Sequence, residues 1–502
     1  MALTAEKTLI VGSFAPASMA EALVASPLAA SSGLVEVRLD RLRGPADPGA
    51  LRACFEGKTL VATLRSASEG GGFAGSDPEA RSILSRALAA GFEFVDVEFR
   101  AGENAGLLGF PPEKVIVSVH DLEGLPPDLP GLADRMAATG ARHVKIVGTA
   151  NDSSDALRIL EAQAALAVRN VSFLAMGEAG IATRVLAPYF GAPLAYASLV
   201  PGRGTAPGQI PAGDLEGIYG VGRPRTIRRL FALLGSRVSH SYSPALHNAS
   251  FEALCEESLY VPFALRSLAR ELPALRDRLS RLGLPLAGAS VTIPFKEEAA
   301  AVAGVEEPVN TLLFPKEGGI LSANTDREAL EVLIPSAERG ERALVLGAGG
   351  LGRVAVGVLL RKGCEVFLFS RPEQQGREVA ASLGVPFISK DLSSVSPRVL
   401  VNATPLGLDA DDPLPCDPLL LAPGLLVVDA PYRVGGTALT RAARAAGCDV
   451  VDGFAILLAQ AAGQAEFFTG RTVSAAELAS RLPAEKRSLF ASAAPASYGA
   501  VR

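Results

Sequence analysis

Cysteine is scarce and scattered in this chain: Cys54, Cys255, Cys364, Cys416 and Cys448 are five residues in 502, with no C-x-x-C pair among them. Neither a zinc site nor a disulfide framework follows from that spacing, and a reducing compartment is expected. The four histidines show no H-E-x-x-H or other paired-ligand spacing, so no metal site is expected. No charge of one sign dominates. A net charge of -5 gives no electrostatic reason to expect nucleic acid or an anionic membrane as partner. A small anionic ligand must then be held by local arginines and lysines. Long apolar runs are missing too: the longest charge-free stretch, Val185–Gly202, is broken by Pro188, Gly191 and Pro193 and cannot form a membrane helix. Met1–Lys7 leads almost at once into Thr8–Val11, without a basic leader and apolar core of a secretion signal, so a cytoplasmic protein is expected.

What is present is length and alternation. A chain of 502 residues exceeds one ordinary core and implies two to four domains. Its first 210 residues alternate short β-branched runs with amphipathic stretches such as Pro78–Ala90 and Ser153–Val168. Eight strands are predicted, at Leu9–Ser13, Val35–Asp40, Leu60–Arg65, Phe92–Phe99, Val115–His120, His143–Ala150, Val171–Gly177 and Leu194–Val200. That repeat is an α/β pattern and points to a (β/α)8 barrel over residues 1–212, with a doubly wound sheet as the alternative. Pro211–Arg228, rich in Gly, Pro and charge, reads as a boundary, with residues 213–228 as linker. A second α/β unit starts at Leu230–Gly235, and the Ala- and Ser-rich residues 483–502 read as a frayed tail.

Barrels place chemistry at the C-terminal ends of their strands. There the sequence sets Glu36, Arg38, Asp40, Arg65, Glu69, Asp96, Glu98, His120, His143, Lys145, Arg184 and the run Thr205–Gln209. Inward charges are costly unless they pair or bind a ligand, and for any one of them a structural ion pair is an equal reading. For Lys145 alone an outward-pointing side chain is the simpler one. The co-occurrence of a lysine, a histidine and three arginines favours a site. A lysine partly desolvated among cations becomes a neutral amine, which attack on a ketone requires.

The runs VEVRLD, TLRSASEGG, VDVEFR, SVHD, VKI and TAPGQ, in this order, resemble the type I 3-dehydroquinate dehydratase family over residues 8–212. The resemblance implies that Lys145 forms an imine with the substrate ketone, His120 is the general base, and Glu69 orients it. It also implies that Arg184 grips the carboxylate, while Glu36, Arg38, Arg65, Thr205 and Gln209 bind hydroxyls and shape the pocket. Thr205 departs from the family's usual serine but keeps a hydroxyl.

In the second half, Gly347-Ala-Gly349-Gly350-Leu-Gly352 fits G-x-G-x-x-G between the apolar strand Ala343–Leu346 and the helical pattern Gly350–Lys362. That context places a pyrophosphate at the helix N-terminus. The next strand, Glu365–Phe369, ends in Ser370-Arg371 where an NAD enzyme carries an acid, so arginine favours the 2′-phosphate of NADP. Ser241-Tyr-Ser243-Pro reads as a helix start, and Ser290-Val-Thr292-Ile-Pro-Phe-Lys296, Asn310-Thr and Asn324-Thr-Asp326 read singly as turn chemistry.

Together with Asn402-Ala-Thr404-Pro-Leu-Gly407, Asp429-Ala-Pro-Tyr432, Gly453 and Gln460, these runs resemble shikimate dehydrogenase over residues 230–475. The resemblance implies a two-lobed enzyme: an α/β substrate domain over 229–335, completed by 453–482, and a Rossmann NADP domain over 336–452. Lys296 and Asp326 are the implied catalytic pair, and Ser241, Ser243, Thr292, Asn310, Tyr432 and Gln460 the substrate contacts. Gly347, Gly349, Gly350, Gly352, Ser370, Arg371, Asn402, Thr404 and Gly453 would hold NADP. Ser290, Arg327-Glu-Ala and Val434 depart from the family pattern without removing a catalytic group.

The first half's implied product, 3-dehydroshikimate, is the second half's implied substrate, so small molecules are the expected partners of a monomer or homodimer. Two alternatives stay open: a catabolic quinate/shikimate dehydrogenase using NAD, and a ligand-sensing relative without activity. The retention of Lys145, His120, Lys296 and Asp326 speaks against the second.

Overall fold

The computed structural model describes residues 3–43, 47–100, 107–166, 170–335 and 340–490. The chain divides into two compact units, Met1–Pro244 with Glu257–Phe295 and Ala245–Glu256 with Lys296–Arg502.

The first unit is built on eight parallel strands: β1 Leu9–Phe14, β2 Leu34–Arg38, β3 Thr59–Thr63, β4 Phe94–Glu98, β5 Val115–His120, β6 His143–Thr149, β7 Val171–Met176 and β8 Leu194–Ser198. They pair in sequence from β1 to β7, and β8 returns to β1, which is the barrel rather than the doubly wound alternative. Period-two alternation sorts each strand into two faces. Val35, Val37, Val95, Val97, Val115, Val117, Val144 and Ile146 pack outward in the core shared with the helices. Val11, Leu34, Val61, Ile116, Val147, Leu174 and Tyr196 form a separate cluster inside the ring. By the same parity, Glu36, Arg38, Asp96, Glu98, Ser118, His120 and Lys145 face inward. Among the described residues no ladder joins β7 to β8. Ser172 stands in for one: its hydroxyl donates to the carbonyl of Leu194 at 2.9 Å and accepts from the Leu194 amide at 3.1 Å.

The segment read as a boundary is folded. Its helix Ala212–Gly217 follows the barrel, Val221 and Ile227 are buried, and Thr226–Ile227 pairs antiparallel with Leu3–Thr4. Its anchor residues lie far away in sequence, beyond the reach of a local composition rule. The predicted helix end at Val168 lies outside the described residues.

The same unit contains β9 Arg229–Gly235, β10 Ser258–Ala264 and β11 Leu286–Val291, parallel with β9 in the middle. The helix Leu268–Arg281 buries Leu268, Leu272, Leu275 and Leu279 along one stripe. Its polar side reaches the barrel helix Ser153–Ala165, where Arg278 grips Glu161 through two bonds of 2.7 Å and Ser153 donates to Glu271 at 2.5 Å.

The second unit carries an antiparallel pair, β12 Thr311–Leu313 and β13 Leu321–Ala323, and a five-stranded parallel sheet. That sheet comprises β14 Arg342–Leu346, β15 Glu365–Phe369, β16 Val399–Asn402, β17 Leu426–Asp429 and β18 Asp449–Val451, in the order β15-β14-β16-β17-β18. The order reverses between β14 and β16, and ligands of such sheets bind at the carboxyl ends beside that switch. The frayed tail is corrected in part: Ala484–Phe490 is a helix whose fully buried Phe490 packs edge-on against Phe454 at 5.1 Å. The rest of the expected tail, residues 491–502, lies outside the described residues. No helix of the described residues is long and apolar enough to cross a membrane.

Candidate active sites

Lys145 points into the barrel. It is 4 % exposed, its Nζ lies 3.1 Å from Glu36 and 3.5 Å from Asp96, and it sits 4.0 Å from the centre of the Tyr196 ring. The expectation of an amine set among cations is corrected here, because its nearest charges are two carboxylates. Those carboxylates are on β2 and β4, across the ring, where spacing along β6 could not reveal them. Glu36 in turn accepts from Ser13 and, at 3.0 Å, from Thr63. Burial pushes the Glu36 carboxyl up, but Lys145, Ser13 and Arg38 overcome it and hold it at about 2.

His120 ends β5, one residue pair along from Ser118, which pairs with Lys145. The two side chains therefore share the inner face on adjacent strands. His120 Nδ1 is 2.8 Å from Glu69 Oε2. Burial first, then the charges of Arg65, Lys145, Arg38 and Arg184, push the imidazole well below its usual range, so the ring is neutral. With Nδ1–H donated to Glu69, Nε2 carries the lone pair, the tautomer a base needs. Burial raises the Glu69 carboxyl to about 7 against the pull of Arg65.

Arg65 and Arg38 are already engaged by neighbouring acids. Arg65 reaches Asp96 at 2.6 Å, Glu69 at 2.8 Å, Glu98 at 3.2 Å and Ser118 at 3.0 Å. Arg38 makes two bonds of 2.8 Å to Asp40. These arginines brace the acidic side chains around the pocket. Asp96, Ser118, Ser13 and Tyr196 complete the network without having been assigned roles from sequence. The alternation of V-D-V-E on β4 was the available signal for Asp96.

Arg184 differs from both. It is 2 % exposed, its only hydrogen bonds among the described residues are 3.4 Å contacts to the carbonyls of Tyr196 and Pro207, and Nε has no partner. Burial pushes its guanidinium down to about 10. A buried cation without a counter-charge is expensive, and an anionic ligand would supply one. The Pro207 carbonyl belongs to the loop in which Thr205 donates its amide to Gln209 at 2.6 Å and its hydroxyl meets Ser13 at 2.8 Å. Thus Thr205, Gln209 and Arg184 lie together, linked to Glu36 through Ser13.

The predicted residues of the dehydrogenase half fall in both units. In the first, the Ser243 amide donates to the Ser241 hydroxyl at 3.2 Å. Tyr260 on β10 faces Ser290 and Ser243; burial pushes its phenol up and the two serines pull it back. Gly235 ends β9 because a Cβ there would stand 2.4 Å from the Thr292 side chain, so that approach fixes where Thr292 lies.

In the second unit, Lys296 Nζ lies 2.5 Å from Asp326 Oδ2, and the two side chains are 25 % and 11 % exposed. Asn324 caps the helix Thr325–Leu333, accepting from the Arg327 amide at 3.1 Å, which sets Asp326 in its first turn. Asn310 is 1 % exposed; its Oδ1 accepts from the Thr325 amide at 2.9 Å, while its Nδ2 is buried without a partner. Gln464, unassigned from sequence, joins His247 at 2.9 Å and Thr311 at 3.0 Å. Gln460 is half-buried one turn earlier on the same helix, Gly453–Thr469.

The dinucleotide motif sits at the switch point. Gly347 has φ 107° and lies against the Ala403 carbonyl, and a Cβ on Gly352 would fall 1.9 Å from the Gly347 carbonyl. A Cβ on Gly349 or Gly350 would meet nothing within 4 Å, so the helix N-terminus is open to a phosphate. Asn402 and Thr404 bind each other at 2.7 Å and brace the neighbouring turn, with Asn402 also donating to Asp429 at 2.7 Å. They are the floor of the glycine turn. Ser370 is buried and Arg371 exposed; Glu373 is engaged by Arg377 at 2.6 Å, leaving Arg371 without an ion pair among the described residues. Gly453 begins its helix where a Cβ would stand 2.4 Å from the Ala430 carbonyl. Beside it a cavity of about 410 Å3 is lined by Pro431, Tyr432, Thr437, Arg444 and Phe454. No cluster of metal-ligating side chains occurs among the described residues.

Residues 16–223 match the family model of type I 3-dehydroquinase, and residues 233–310 match that of the shikimate dehydrogenase substrate binding domain. A bifunctional 3-dehydroquinate dehydratase/shikimate dehydrogenase, chloroplastic, of Arabidopsis thaliana is 32% identical over 87% of this chain and 77% of its own length. A shikimate dehydrogenase (NADP(+)) of Rubrobacter xylanophilus is 38% identical over 48% of this chain and 90% of its own. Among solved structures, a dehydroquinate dehydratase and shikimate dehydrogenase from S. pombe covers 95% of this chain and 98% of that chain, at 24% identity and a TM-score of 0.42. The family models and the Arabidopsis relative show it: the chain belongs to the bifunctional 3-dehydroquinate dehydratase/shikimate dehydrogenase family.

Proposed function

We propose that this protein converts 3-dehydroquinate to 3-dehydroshikimate plus water at the barrel and reduces 3-dehydroshikimate to shikimate in its second half. The observation that carries the first step is a buried lysine on the inner face beside a neutral histidine backed by a carboxylate. The Lys145 amine, once its proton has left, adds to the ketone and expels water to form a protonated imine. That imine withdraws electrons from the adjacent carbon, so His120 Nε2 can remove its proton. The resulting enamine expels the β-hydroxyl, which leaves as water with the proton His120 holds. A water molecule then hydrolyses the imine and restores the lysine. Arg184 is assigned to the carboxylate, and Glu36, Arg38, Arg65, Thr205 and Gln209 to the pocket.

For the second step, Lys296 and Asp326 are assigned to proton transfer at the reacting oxygen, with Ser241, Ser243, Thr292, Asn310, Tyr432 and Gln460 as substrate contacts. Asn310 supports this through its buried, unpartnered Nδ2, a donor in want of an acceptor. NADPH when bound supplies the hydride. The open N-terminus at Gly349 and Gly350 fits its pyrophosphate, and Arg371 fits the 2′-phosphate. By function, the dehydratase occupies residues 1–212, the substrate domain 229–335 with 453–482, and the cofactor domain 336–452. A cytoplasmic monomer or homodimer handling only small molecules is the accompanying reading.

The test is borohydride reduction in the presence of 3-dehydroquinate, followed by peptide mapping. An adduct on Lys145 with loss of dehydration alone is expected; labelling of another lysine defeats the assignment. NADPH consumption from 3-dehydroquinate tests the two steps in sequence, and rapid quinate oxidation with NAD instead would select the catabolic alternative.

A further inference from the structure

The segment that carries Ser241 and Ser243 is braced in part from outside its own lobe. It leaves β9 at Gly235, turns through a 3.3 Å bond from the Ser241 amide to the Val238 carbonyl, and buries Val238. Arg237, Ser239 and His240 are exposed. The amides of Val238 and Ser239 find their acceptor in the barrel instead. Both donate to one carboxylate oxygen, Glu178 Oε1, at 2.5 and 2.7 Å. Two adjacent amides converging on one anionic oxygen fix the backbone more firmly than a neutral acceptor would.

Glu178 follows β7 in a turn set by Gly177 at φ 84°. The Gly177 amide donates to the Pro207 carbonyl at 3.3 Å, and a Cβ on Gly208 would stand 2.5 Å from the Gly177 carbonyl. One turn of the barrel is therefore pressed against the Thr205–Gln209 loop on one side and holds the serine loop on the other.

We propose that Glu178 is a positioning residue for the reductase: it presets the Ser241–Ser243 segment from the barrel, so that affinity for 3-dehydroshikimate in the second site depends on a barrel side chain outside the first site. This inference rests on the assignment of those serines to the reductase substrate. The measurement is steady-state kinetics of both activities for full-length Glu178→Ala and Glu178→Gln. The alanine variant is expected to raise the KM for 3-dehydroshikimate about tenfold, with kcat within about twofold and the KM for NADPH unchanged. Dehydration of 3-dehydroquinate stays at the wild-type rate and reports that the chain is folded. Glutamine keeps an oxygen at the Oε1 position and is expected to restore KM to within about threefold. An unchanged KM in Glu178→Ala overturns the proposal, as does a parallel loss of both activities with no rescue by glutamine. Failure of the wild-type protein to reduce 3-dehydroshikimate overturns the functional reading along with it; wild-type turnover with an unaffected variant overturns this inference alone.

Discussion

At the scale of single residues, the informative side chains are those whose surroundings do not satisfy them. Arg184 is nearly fully buried, and burial depresses its guanidinium to about 10, a cost to its charged form. The substrate carboxylate proposed for this site would offset that cost. Arg184→Met is therefore expected to leave the melting temperature equal or higher while raising the KM for 3-dehydroquinate at least about tenfold. A fall in melting temperature with unchanged KM would mark it as structural. Glu69 gives a pH-dependent prediction. Its carboxyl, raised to about 7, accepts more strongly from His120 Nδ1 when ionised, which best supports the ring as a base. Dehydration kcat should climb with pH through about 7 and then level off, and Glu69→Gln should remove that limb along with much of the rate. A limb that persists in the glutamine variant assigns it to another group. Arg371→Ala should raise the KM for NADPH about tenfold and leave that for 3-dehydroshikimate alone. These three residues were legible as types and positions in the sequence. What was not legible is who surrounds them. Lys145 was expected among cations because the rim's histidine and arginines were read as its neighbours, whereas Glu36 and Asp96 on the same rim are the charges that reach it.

At the scale of elements, legibility followed locality. The eight barrel strands announce themselves because each must alternate an inner and an outer face, and that constraint is written within five or six residues. The glycine turn at 347–352 was equally readable, since its strand, turn and helix are contiguous. Residues 211–228 and 484–490 were not. Their structure depends on Leu3–Thr4 and on Phe454, partners hundreds of residues away or buried in another helix. The seam between β7 and β8 also escaped notice, because a lone Ser172 in an apolar strand carries no pattern. That hydroxyl serves both the amide and the carbonyl of Leu194 in a fully buried place. Ser172→Ala strands both groups and should cost about 1–3 kcal/mol, read as a lowered urea midpoint with an unchanged m-value. An unaltered midpoint would mean that the strands close on each other without it.

At the scale of the whole molecule, the two chemistries share a chain, and the residues proposed to carry them are distinct. Lys145 and its partners belong to the first compact unit, and the Lys296–Asp326 pair to the second. Glu178 ties substrate affinity in the second step to the barrel, but it touches no reacting atom. The intermediate is a small anion able to leave one protein and enter another, so covalent linkage of the halves is not a chemical necessity. Lys296→Ala should still dehydrate 3-dehydroquinate while losing reduction, and Lys145→Ala should do the reverse. Mixing the two inactive variants should restore NADPH consumption from 3-dehydroquinate after a lag, as released intermediate accumulates to the KM of the second enzyme. No recovery from the mixture, with each variant retaining its single activity, would mean that the intermediate passes only within one chain.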